Sequence, residues 1–115
     1  MLDIDIEFRK GILFVRLGGV LDISSSNKLN EELIPILKDN GIKYLVFNIE
    51  NLNYIDLDGI NSLKQKYNII SNNKGQILVC GIKNGLVKQR IDNSSLFNYM
   101  FETSNELAAF NIINL

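Results

Sequence analysis

Tyr44-Leu45-Val46-Phe47-Asn48-Ile49 is an apolar run of strand length, and Leu57, Ile60, Leu63, Tyr67 and Ile70 recur behind it at helical spacing. An acidic loop, Asn53-Tyr54-Ile55-Asp56-Leu57-Asp58-Gly59-Ile60-Asn61-Ser62, joins the two. A strand with no polar face must be covered on both sides, which makes 43–49 the centre of a sheet with helices packed on it. The loop then falls at the carboxyl end of a strand and at a helix N-terminus, where open α/β sheets place their working surfaces.

The rest of the chain arranges itself around this unit. Residues 3–9 alternate with period two, with Ile4, Ile6 and Phe8 on one face. Residues 12–18 form a second strand, and Lys10-Gly11 has the length of a tight hairpin. Gly18-Gly19-Val20-Leu21-Asp22 is predicted to leave the sheet, and Ser24-Ser25-Ser26 supply hydroxyls to cap a helix carrying Leu29, Leu33, Ile36 and Leu37. Pro35 inside it predicts a kink or a short helix, with Gly41 as a left-handed cap beyond the end. Asn72-Asn73-Lys74-Gly75 stops the second helix, 76–81 is another buried strand, and 83–92 a short helix. Residues 98–101 form a weak edge strand, and Thr103 with Glu106 a capping box for a last helix through Leu107, Ala108 and Phe110. Strand and helix alternating in this rhythm imply right-handed parallel crossovers after an antiparallel hairpin.

At 115 residues the chain is expected to form one domain able to bury its core without metal or disulfide staples. A net charge of −1 with singly scattered Lys and Arg offers no stripe to track a phosphate backbone, which disfavours nucleic acid. The alternating acidic and apolar start, Met1-Leu2-Asp3-Ile4-Asp5-Ile6-Glu7, is not a secretory signal, and no apolar run reaches membrane-span length. A cytosolic protein without membrane attachment is predicted. The single cysteine, Cys80, reads as a small buried strand residue.

No histidine is present, so the commonest general base and metal ligand is missing. Phosphate loops, dinucleotide-binding turns and paired-cysteine metal spacings are also missing, and no catalytic residue, metal or cofactor is expected. Asp22, Asp56 and Asp58 raise one enzymatic alternative, a receiver-like Mg²⁺ site accepting a phosphoryl group on a carboxylate. The antiparallel start and the lack of a matching Thr and Lys at strand ends count against it. Residue type alone gives Asp58 a helix-capping role, Asp56 a bond to its own turn and Gly59 a close backbone approach. Ser24 and Ser62 read as caps or solvated hydroxyls.

The order of these elements, with Gly19-Val20-Leu21-Asp22, Leu45-Val46-Phe47-Asn48-Ile49, Tyr54-Ile55-Asp56-Leu57-Asp58-Gly59-Ile60, Gly75 through Gly81 and Leu96-Phe97, resembles the STAS-domain family of bacterial anti-sigma factor antagonists. The resemblance spans residues 1–115 as one STAS domain and implies an α/β fold. That fold has a mixed sheet of four to five strands, an N-terminal antiparallel hairpin, parallel βα crossovers and about four helices. It also implies a non-catalytic protein-binding regulator. Family members bind an anti-sigma factor that is also a serine kinase, freeing a sigma factor, and the kinase phosphorylates a serine at the start of the second helix. The two places where that hydroxyl occurs are here Leu57 and Asp58. The partner surface implied is Asp22, Ser24, Asp56, Leu57, Asp58, Gly59, Asn61 and Ser62, without phosphorylation at the family site. Asp58 either leaves the domain constitutively competent or mimics part of the phosphorylated state. Asn61, Ser62 and Gln65 make the solvent side of the helix more polar than in many relatives, and a scaffold or sensor module serving another signalling protein is the alternative. Oligomeric state is left open, with a monomer expected.

Overall fold

The chain begins with a hairpin whose two-residue turn takes Lys10 to φ 52° and Gly11 to φ 81°. Both values are positive, as the twist-compatible two-residue turn requires. This turn sets the register of β1 (Leu2–Arg9) against β2 (Ile12–Leu21), with Arg9 opposite Ile12 and Leu2 opposite Gly19. The computed structural model describes residues 1–114. After β2 come α1 (Ile23–Asp39), β3 (Tyr44–Ile55), α2 (Leu57–Asn72), β4 (Gln76–Cys80) and α3 (Gly85–Asp92). A 3₁₀ turn at Leu96–Asn98, β5 (Phe101–Thr103) and α4 (Glu106–Ile113) complete it. The five strands form one sheet in the order β1-β2-β3-β4-β5, antiparallel at β1–β2 and parallel from there on. The mixed α/β architecture expected from the sequence is therefore present.

The sheet is covered on both faces. On one, Leu13, Val15, Leu17, Leu45, Phe47 and Val79 pack against Leu29, Leu33 and Leu37 of α1 and Ile60, Leu63 and Ile70 of α2. On the other, α4 lays Ala109 and Phe110 over Ile12, Phe14, Val46, Leu78 and Cys80. Cys80 is fully buried, and burial pushes its thiol up to about 12. No helix among the described residues is long and apolar enough to cross a membrane.

Several boundaries differ from the sequence reading. β2 does not leave the sheet at Gly18 but runs to Leu21, with register shifts between Arg16 and Gly18 and between Gly19 and Val20. Gly19 permits this at φ +85°, where a Cβ would lie 2.3 Å from the Met1 carbonyl oxygen. β3 likewise continues to Ile55, because Leu52 and Ile55 face the core while Asn51 and Asn53 are exposed. α1 passes through Pro35 without being shortened; Pro35 and Glu31, the residue one turn back whose carbonyl loses its donor, are both exposed. Gly41 does take the left-handed conformation, at φ +57°.

The carboxyl-terminal part changes most. The edge strand is β5 at 101–103 rather than 98–101; the 3₁₀ turn at 96–98 and a bend through Met100 lead into it. Asn105, not Thr103, caps α4, accepting the Ala108 N–H at 2.8 Å. Glu106 is thereby free to turn to the sheet, where it accepts from Arg16 Nε at 2.7 Å, Arg16 Nη2 at 2.8 Å and Asn48 Nδ2 at 2.8 Å. The Arg16 guanidinium holds the Glu106 carboxyl below the usual carboxylate range.

Candidate functional site

Strands β2 and β3 run side by side and each ends directly in a helix, so the starts of α1 and α2 are neighbours. The contact is close. The Leu21 carbonyl accepts the Asp56 N–H at 3.3 Å, and a Cβ on Gly59 would sit 2.3 Å from the same oxygen. Gly59 is buried in this seam, which explains the glycine by backbone approach rather than by a turn.

Each helix is capped by the first aspartate after its strand. Asp22 Oδ1 accepts the Ser24 and Ser25 N–H groups at 3.0 Å each, and Ser25 Oγ accepts the Asp22 N–H at 2.9 Å, a reciprocal box. The cap of α1 is therefore Asp22 with Ser25, where the sequence reading gives the role to the serines alone. The Ser24 hydroxyl donates to Asp22 Oδ1 at 2.7 Å and is the first cause that lowers the Asp22 carboxyl below its ordinary range. On α2, Asp56 Oδ1 accepts the Gly59 N–H at 2.8 Å. This corrects the assignment of the cap to Asp58, which lies one residue inside the first turn and is exposed. The cause is strand length: with β3 extended to Ile55, Asp56 becomes the first residue out of the sheet.

Capping by Asp22 and Asp56 leaves two apolar side chains pointing outward at equivalent first helical positions. Ile23 is 67% exposed and Leu57 66%. Leu57 is among the candidate residues from sequence; Ile23 is not, although its place immediately after a capping aspartate is the signal that could have found it. Asp58 stands next to Leu57, and Asn61 is exposed one turn on. At the rim, the Arg90 guanidinium of α3 lies 4.8 Å from the centre of the Tyr54 ring. Among the described residues, the result is a small surface of two apolar side chains, one unpaired carboxylate and a flanking cation.

Ser62 does not belong to this surface. It is 2% exposed and donates to Asn30 Oδ1 of α1 at 3.1 Å, so the expectation of a solvent-facing hydroxyl is overturned. Its helical position, three residues beyond Gly59, carries it into the α1–α2 seam. Ser26 is buried too, its hydroxyl donating to the Asp22 carbonyl at 2.6 Å. The sequence reading also missed Lys66, which is 0% exposed in the same seam. A buried spacing of Gly59, Ser62, Lys66 and Ile70 beside the apolar stripe was the available signal.

The STAS domain family model matches residues 3–109. An anti-sigma F factor antagonist from Paenibacillus polymyxa is 30% identical over 108 residues, covering 94% of this chain and 92% of that one. Among solved structures, the anti-sigma factor antagonist SpoIIAA in its unphosphorylated form superposes with a TM-score of 0.76 at 14% identity, over 97% of this chain and 98% of that chain. A putative anti-sigma factor antagonist from Thermotoga maritima gives 0.88 at 11% identity, over 97% and 95%. The chain belongs to the STAS-domain family of anti-sigma factor antagonists.

Proposed function

We propose that this chain is a cytoplasmic, monomeric, non-catalytic anti-sigma factor antagonist, made of one STAS domain. It docks on an anti-sigma factor of the serine-kinase type through Ile23, Ser24, Asp22, Asp56, Leu57, Asp58 and Asn61, with the buried Gly59 seating the helix behind them, and so frees a sigma factor. The observation that carries the reading is the start of α2. Leu57 and Asp58 are both exposed there, neither bears a hydroxyl, and the next serine along the helix is buried against α1. A surface of the family's kind is thus combined with the loss of its usual phosphorylation switch.

The binding-competent alternative is favoured over phosphate mimicry by charge. Asp58 carries one negative charge and two acceptor oxygens, against roughly −1.5 to −2 and three oxygens for phosphoserine. Because Asp56 takes the cap, Asp58 is free to meet a donor on the partner, and the exposed Ile23 and Leu57 supply apolar area beside it. The test is capture from native cytosol with the natural chain and with an Ile23→Asp/Leu57→Asp variant, partners being identified by mass spectrometry. Retention of an anti-sigma kinase by the natural chain and its loss with the variant support the reading. Equal recovery of the kinase with both forms overturns this docking face, and capture of other signalling proteins in place of a kinase favours the scaffold module.

A further inference from the structure

Lys66 is fully buried on the side of α2 that faces α1, and among the described residues no carboxylate pairs with it. Its ammonium has three acceptors: Asn30 Oδ1 on α1, the Ser62 carbonyl at 2.8 Å and Ser62 Oγ at 3.1 Å. Ser62 Oγ in turn donates to Asn30 Oδ1. Three N–H donors thus meet three neutral oxygens. The other charged groups of the two helices are turned elsewhere: Lys28 donates to the Leu2 carbonyl, Lys64 to Ser95 Oγ, and Glu31, Glu32, Lys38, Asp39 and Asp58 are exposed.

We propose that the Lys66–Ser62–Asn30 cluster is a protonation-dependent spacer between α1 and α2, which sets how closely the two helices approach along the seam behind the docking face. A neutral amine has two N–H donors and one lone pair, so it cannot serve the same three acceptors. The lone pair accepts the Ser62 hydroxyl, which then leaves Asn30. Of the two hydrogen bonds that cross the seam here, Lys66 to Asn30 and Ser62 to Asn30, one is lost. The strand ends hold Asp22 and Asp56 in place, so the helices respond by tilting about those ends, and the buried Leu29 and Leu63, next to Asn30 and Ser62 in the chain, register the change. Burying an ammonium without a counter-ion is costly, and burial brings this one down to about 8, within reach of ordinary solution conditions. Naming the face in front of this seam a docking face rests on the proposed function; the titration of the seam does not.

The experiment is nuclear magnetic resonance on the free protein, labelled with ¹³C in lysine and in the Ile and Leu methyl groups, from about pH 6.5 to about pH 9.5. The chain has no histidine to add transitions in this window. The Lys66 Cε resonance is expected to titrate near 8, with the methyls of Leu29 and Leu63 moving at the same midpoint. In Lys66→Met and Lys66→Arg, those methyl transitions are expected to vanish. A Lys66 resonance that stays flat across the window overturns the spacer. So do Leu29 and Leu63 methyls that stay flat while Lys66 titrates, or methyl transitions that persist in both variants. No partner is in the tube, so none of these outcomes touches the proposed anti-sigma partner.

Discussion

Replacing Gly59 by alanine tests whether α2 is seated against β2 by backbone contact. The new Cβ would stand 2.3 Å from the Leu21 carbonyl oxygen, 2.9 Å from Ile55 Cγ1 and 3.0 Å from the Leu21 carbonyl carbon. Ordinary contact begins at about 3.4 Å, so the first turn of α2 must move outward by about 1 Å, against a carbonyl that also holds the Asp56 N–H. Overpacking of this kind costs about 1–3 kcal/mol, and the better helix propensity of alanine returns at most about 1 kcal/mol. The expected net loss is about 1–2 kcal/mol. With a urea dependence of about 1–3 kcal/mol per molar, the unfolding midpoint falls by about 0.5–1 M. Gly85→Ala is the internal control. It sits at the first position of α3 with nothing within 4 Å of the added Cβ, and the expected change is zero to a slight gain. Equilibrium urea unfolding by circular dichroism reads both variants. Gly59→Ala as stable as Gly85→Ala would refute the seating of α2 on Leu21.

Asp56→Ala removes the cap of α2 and is expected to cost about 1 kcal/mol in urea unfolding, while Asp58→Ala stays within about 0.5 kcal/mol of the natural chain; the reverse order would return the cap to Asp58. Because Lys66 falls from 10.5 to about 8 on folding, the unfolded chain holds the extra proton between those values, and stability due to Lys66 rises with pH across that window, by up to about 3 kcal/mol. Cys80, raised from 9.0 to about 12, works in the opposite direction above pH 9, so the rise is read as the difference between the natural chain and Lys66→Met in denaturant unfolding. Glu106→Gln breaks the charge-assisted pairing with Arg16 and is expected to cost about 1–3 kcal/mol at neutral pH. The Glu106 carboxyl is lowered by that pairing, so its contribution is present above the ordinary glutamate value and lost as pH falls through the folded one. Thermal melts of the two forms should therefore converge in acid, and a constant gap would assign the loss to packing instead.

The order of elements was legible because each carries its own period: alternation in β1, a continuous apolar run in β3, and a stripe of Ile60, Leu63 and Ile70 in α2, although Leu57 and Tyr67 at the same spacing are exposed. Where β2 and β3 end was not legible. Asn51 and Asn53 look like loop residues until Leu52 and Ile55 are seen facing the core, and the pairing of Val20 with Tyr54 and Leu21 with Ile55 is a long-range fact. That boundary decides the site, since it makes Asp56 the cap and frees Asp58. The misplacement of Ser62 has a different cause. Polar side chains are read outward by default, and only the approach of α1 shows that Ser62 and Lys66 satisfy each other and Asn30. Glu106 was likewise claimed by a local capping pattern, whereas its partners Arg16 and Asn48 come from β2 and β3.

The central claim is that the partner surface persists while the acceptor hydroxyl is gone. Its most direct test mixes the captured kinase, ATP and either the natural chain or Asp58→Ser, following phosphate incorporation and the bound fraction by size-exclusion chromatography. The account predicts that the natural chain stays bound and unmodified, while Asp58→Ser binds, is phosphorylated on the new serine and dissociates. Phosphorylation of the natural chain at any serine, accompanied by its release, would contradict the account, as would binding by the serine variant alone.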